Sequence, residues 1–122
     1  MSDFIKIAVD AMGGDNSPHK IVDGIVLNNK SNKENFFYIF GNEKKILDSL
    51  NNRIDNKYYK IINTENFVKS TDSPLEAAKR GKDTSMWLAI ESVKNKQADI
   101  VISAGNTGAL LVIAKLNLKM IK

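Results

Sequence analysis

Cysteine is absent from the chain, which excludes disulfides, a thiolate nucleophile and any cysteine-held metal. Arginine is nearly absent too: only Arg53 and Arg80 occur, so the net charge of +4 comes from lysines spread along the whole chain. A nucleic-acid reader clusters its basic residues and interleaves them with aromatics. That pattern is missing, and no nucleic-acid partner is expected. The chain is instead rich in Ile, Asn and Lys, a mixture that base composition alone can generate. Long apolar runs are missing as well, since no window approaches the roughly 18 or more residues of a membrane span. The start, "MSDFIKIAVD", has neither a basic stretch followed by an apolar run nor a myristoylation pattern. A cytoplasmic location is the default expectation.

What is present is enough for one core: 122 residues, 43% of them hydrophobic. Residues 4–9 read as a short buried strand rich in β-branched residues. A helix is expected over 18–29, with Ile21 and Ile25 facing inward beside Val22 and Val26, Pro18 in its first turn and Ser17 as its cap. "NFFYIFGN" is a second strand and "EKKILDSLNN" a short helix carrying Ile46, Leu47 and Leu50. "KYYKIIN" is a third strand. After a polar loop from Thr64 to Pro74, a helical stretch runs to about Lys96, with a break near Gly81. Its second half sets Met86, Ala89, Ile90 and Val93 on one face, capped by Thr84 or Asp83. Trp87 lies off that face and is read as core or interface packing. "ADIVISA" is a fourth strand, followed by "GNTG" and a last helix from about Ala109.

Strands alternating with helices, without two-residue hairpin signals, predict a parallel sheet joined by right-handed crossovers. In such sheets the strand-to-helix loops emerge at one edge, where ligands bind. The loops after the first and fourth strands are therefore expected on the same side. The last helix, "GALLVIAKLNLKMIK", is apolar nearly all round, so one buried face cannot absorb it. The chain is thus expected to be part of a larger protein, and the isolated chain to aggregate or dimerise.

Two loops have the composition of a site. In "SAGNTGAL", Gly105 and Gly108 permit positive φ and close approach of a ligand, while the N–H groups of the following helix favour an anion. Asn106 and Thr107 add donors; the competing reading is a tight turn. In "IAVDAMGGDNSP", Asp10 and Asp15 can bind Mg²⁺, act as a base, or accept only local backbone N–H groups, the last being the commonest use of Asp in turns. His19 is read as structural, and Lys79, Arg80 and Lys82 form a small basic group ahead of Ser85. Neither named nucleotide-binding glycine motif is present.

Together, "IAVDAMGGDNSP", "STDSPLEAAKRGKDTSM" and "ADIVISAGNTGALL" closely resemble the bacterial phosphate acyltransferases of phospholipid synthesis, acyl-acyl-carrier-protein:phosphate acyltransferases. The matches run in the family's order across essentially all of residues 1–122, which correspond to the N-terminal portion of a single domain and to roughly the first third of the family's length. The resemblance implies a Rossmann-like three-layer α/β/α fold with a parallel sheet, similar to phosphotransacetylases, and a homodimer without cofactor or metal. It implies transfer of a fatty acyl group from acyl carrier protein to inorganic phosphate. The acyl-phosphate would pass to a membrane glycerol-3-phosphate acyltransferase, with attachment at the inner membrane face an accompanying option. On this reading Asn106, Lys82 and Ser85 are the catalytic candidates. Ser103, Gly105, Asn106, Thr107 and Gly108 hold phosphate or the oxyanion; Asp10, Gly13, Gly14, Asp15 and Asn16 order the neighbouring loop. The family carries more Arg and Lys before its Ser-Ser-Met, where this chain has Glu76, Gly81 and "DTSM". The alternatives are an inactive remnant and a generic phosphate- or nucleotide-binding module.

Overall fold

Four parallel strands in the order β3-β2-β1-β4 form the centre of the computed structural model, which describes residues 4–14, 17–69 and 71–103. The elements are β1 (Ile5–Asp10), α1 (His19–Ser31), β2 (Asn35–Gly41), α2 (Glu43–Leu50), β3 (Tyr59–Asn63), α3 (Pro74–Lys79), α4 (Ser85–Lys94) and β4 (Ile100–Ser103), with a 3-10 turn at Asn56–Tyr58 leading into β3. The alternation expected from the sequence is therefore present, and the fold is α/β of the Rossmann-like kind.

Helices lie on both faces of the sheet, in keeping with strands that are apolar almost throughout, while Ile5, Ile100 and Ile102 stay exposed at its ends and on β4. On one face Ile7, Val9, Phe37 and Ile39 pack against Val22, Ile25 and Val26 of α1 and Ile46 and Leu50 of α2. On the other, Ala8 and Phe40 meet Ala89 of α4 together with Ala98. Met86, Trp87 and Ile90 of α4 continue that layer to Val68 and Ala77. Burying side chains of the size of Ile39 or Ile90 stabilises by roughly 1.5–3 kcal/mol each. The change of side has a topological cause. The chain steps from β1 to β2 to β3 in one direction and returns past β1 to β4, and connections of a single hand then require α4 opposite α1 and α2.

Several boundaries differ from the sequence reading. Ser17 does not cap α1: Pro18 occupies the cap position without a side-chain bond, and the Ser17 hydroxyl instead accepts the Gly14 N–H at 2.9 Å. Ile21 is only half-buried, because Val22 and Val26 flank Ile25 on the inward face. The stretch 74–96 is two helices. Ser73 and Glu76 close a reciprocal capping box on α3, Gly81 takes φ +107° beyond it, and Thr84 caps α4 by accepting the Trp87 N–H at 3.2 Å. Only glycine adopts that φ without strain. Trp87 is buried, in agreement with the packing reading. The residues after Ser103, including the expected last helix, lie outside the described residues.

Candidate functional site

β1 and β4 are neighbours and run the same way, with Asp10 opposite Ser103 at their carboxyl ends. From β1 the chain leaves toward β2 on one side, and on the other side β4 is reached by the long return. The crevice above these two ends is thus the point where strand order reverses, the usual ligand position in an open parallel sheet. Asp10 occupies it and is 1% exposed.

Its carboxylate gathers three segments that are far apart in sequence. Oδ1 accepts the Ser85 hydroxyl at 2.6 Å and the Met12 N–H at 3.1 Å; Oδ2 accepts the Ser103 hydroxyl at 3.0 Å. The Met12 bond is a local Asp turn, of the kind Asp forms in loops. The two serine bonds tie the end of β1 to the start of α4 and to the end of β4. Burial, the largest influence, pushes the Asp10 carboxyl above its ordinary value, with the bonds from Ser85, Met12 and Ser103 acting the other way. No cation is among those partners.

The start of α4 is held a second time. Thr64 donates its hydroxyl to the Asp83 carbonyl at 2.5 Å, Asn66 donates from Nδ2 to the Asp83 carboxylate at 2.7 Å, and the Ser85 N–H donates to the Asn66 carbonyl at 2.9 Å. The loop after β3 therefore fixes where Ser85 begins its helix. Beyond it, Arg80 grips Asp72 with two nitrogens, Nε to Oδ2 at 2.5 Å and Nη2 to Oδ1 at 2.7 Å. Hydrogen bonding from Arg80, aided by the Lys69 N–H, holds the buried Asp72 carboxyl at about 2. A carboxyl held low contributes stability above its unfolded value and loses it as pH falls through its folded one. Arg80→Ala is therefore expected to lower the urea midpoint near neutrality, and its deficit against the parent chain should shrink between about pH 4 and pH 2. A deficit that does not change across that range would assign the Arg80 effect to packing of its stem.

Of the residues singled out in the sequence, Asp10, Ser85 and Ser103 come together in one bonded cluster. Gly13 and Gly14 lie in the loop that leaves it, and Lys82 is exposed in the turn before α4. Asp15, Asn16, Gly105, Asn106, Thr107 and Gly108 lie outside the described residues. His19 sits away from the cluster with Nδ1 3.0 Å from the Ser49 hydroxyl, between α1 and α2. The sequence reading missed Thr64, Asn66 and Asp72. Nothing in their spacing marks them, since their partners are other loops. No group of three or more His, Cys, Asp or Glu side chains able to hold a metal occurs among the described residues. No helix there is long and apolar enough to cross a membrane.

Comparison with known proteins gives this cluster a context. The model of the family described as fatty acid synthesis protein matches residues 5–122. The chain belongs to that family. It is 66% identical, over its whole length, to a phosphate acyltransferase of Pelagibacter ubique, of which it covers 36%. It is 46% identical over 107 residues to the phosphate acyltransferase of Enterococcus faecalis and 47% identical over 107 residues to that of Listeria innocua, covering 88% of this chain and 31% of each relative. The chain thus spans about a third of the length of these relatives.

Proposed function

We propose that this protein is an acyltransferase of phospholipid synthesis, that it moves a fatty acyl group from acyl carrier protein to inorganic phosphate, and that residues 103–108 hold the phosphate. The observation that carries the reading is the meeting of Asp10, Ser85 and Ser103 at the reversal point of the sheet. It puts Ser103, the first residue of "SAGNTG", beside Asp10 at the end of β4, and relatives of this chain are named phosphate acyltransferases.

The chemistry asks for little more than such a site can offer. A phosphate oxygen attacks the thioester carbonyl, the C–S bond breaks, and the carrier leaves as its thiol after gaining a proton. The residues must hold an anion, donate to the oxygen on which charge develops, and keep water from a labile acyl-phosphate. Asn106 and the N–H groups around Gly105 and Gly108 suit the first two tasks; Lys82 can add charge, and Ser85 and Asp10 keep the floor in place. The same reading takes acyl carrier protein as donor, a second copy of the chain as partner, and a membrane glycerol-3-phosphate acyltransferase as the consumer of the product. In the full-length protein that carries this sequence, Asn106→Ala should lower phosphate-dependent acyl-phosphate formation, trapped as hydroxamate, by about 100-fold or more, the usual effect of losing one oxyanion donor. Unaltered turnover would remove the assignment.

A further inference from the structure

Thr64 follows directly on β3, and its polar groups bond in three directions. Its N–H donates to the Gly41 carbonyl, at the end of β2, at 2.9 Å. Its hydroxyl donates to the Asp83 carbonyl at 2.5 Å and accepts the Asn66 N–H at 3.3 Å. The Asn66 carbonyl accepts the Ser85 N–H at 2.9 Å, and the Asn66 amide reaches the Asp83 carboxylate at 2.7 Å. Thr64 and its loop therefore hold the residues on both sides of Thr84, the cap of α4. Thr64 is buried, so partners lost there are not readily replaced by water, and a buried polar group without a partner carries the full cost of its desolvation.

The joint matters because of what comes next. Ser85, itself fully buried, gives its hydroxyl to Asp10 at 2.6 Å, and Asp10 accepts from Ser103 at the end of β4. Hydrogen bonds weaken steeply as their angles open, so a displacement of the first turn of α4 is felt at Asp10. The line from Thr64 through Ser85 and Asp10 to Ser103 thus crosses the carboxyl edge of the sheet from β3 to β4, its two outermost strands. A binding group keeps its geometry only if the residues behind it are held in turn. We infer that Thr64 is a positioning residue for phosphate, acting through Ser85 and Asp10 on residues 103–108 and touching no substrate itself. The inference rests on the phosphate reading of those residues. A Thr64 that only steadied its own loop would change stability and leave phosphate affinity alone.

The test is a double-mutant cycle on inorganic phosphate affinity, read from the amides of residues 103–108 in the isotope-labelled chain. Thr64→Val removes the hydroxyl at nearly constant shape and should weaken phosphate binding roughly three- to tenfold, as expected for residues coupled through one hydrogen-bond network. Thr64→Ser keeps the hydroxyl and should bind within about twofold of the parent. In a Ser85→Ala chain, adding Thr64→Val should change affinity by less than about twofold, since the link through which it acts is already cut. Asn66→Asp disturbs the same joint from its exposed side by setting a second carboxylate against Asp83. It should weaken phosphate like Thr64→Val, and it keeps the test open if the valine chain does not fold. Parent-like affinity in Thr64→Val or Asn66→Asp overturns the inference, as does a valine effect of equal size with and without the Ser85 hydroxyl. In all of those cases the parent still binds phosphate at 103–108; a parent that does not bind it there overturns the phosphate reading itself.

Discussion

Asp10→Ala lowers stability by about 3 kcal/mol, because it leaves the Ser85 and Ser103 hydroxyls and the Met12 N–H without the acceptor they share. Against a total of roughly 5–15 kcal/mol for a domain, that loss loosens the join between β1, α4 and β4. Asp10→Asn separates hydrogen bonding from charge. Its carbonyl can still accept from Met12 and Ser85, and its amide can donate to Ser103, whose hydroxyl turns to accept. The sign of the pH dependence follows from burial, which raises the Asp10 carboxyl above its ordinary value. Such a group favours the fold below its unfolded value, and that contribution is lost as pH rises through the raised one. Asp10→Asn should therefore improve relative to the parent as pH rises from about 4 toward neutrality, while Asp10→Ala stays well below both. Urea midpoints of the three chains across that range check the prediction, and an Asp10→Ala chain as stable as the parent would show that the cluster holds nothing together.

The second large effect is expected at Gly13. Its φ is +92°, and a Cβ built there would lie 2.2 Å from the carbonyl oxygen of Val68. Left-handed backbone costs a side-chain-bearing residue roughly 1–2 kcal/mol, and the clash is with main chain, which cannot swing away as a flexible side chain would. Val68 is itself fully buried against Met86 and Ile90. Gly13→Ala must therefore push the β1 loop off the loop after β3, at a cost of about 3 kcal/mol or more. Amide exchange should then quicken in both loops while the α1 and α2 face keeps its protection. A Gly13→Ala chain with parent-like exchange at Val68 would mean that the two loops do not depend on this contact.

These two residues also mark how far the sequence could be read. The alternation of apolar strands with helices of 3.6 period was enough for the sheet, because Ile7, Val9, Phe37 and Ile39 are buried by local pattern alone. Asp10 and Ser103 were recognisable as ends of strands, and parallel pairing put them side by side. The Ser85 hydroxyl on Asp10 was not legible, since 75 residues separate them and only the return crossover brings α4 over β1. Asp72 and Arg80 were hidden for a different reason: in sequence they are a turn residue and a helix-end cation, and only burial of the carboxylate makes the pair matter. Ser17 failed as a cap because Gly14, left without another acceptor in the tight loop, takes its hydroxyl first. Gly13 was read only as part of the loop that orders the site, and its positive φ comes from the structure. That the atom it must not touch is the Val68 carbonyl depends on a loop more than fifty residues away.

Phosphate is expected to be held above Asp10 and Ser103. Titrating inorganic phosphate into the isotope-labelled chain tests it most directly. The prediction is a saturable shift of the amides of residues 103–108, weakened by Asn106→Ala and lost in Asp10→Ala. A folded chain whose amides at 103–108 do not respond to phosphate would contradict it.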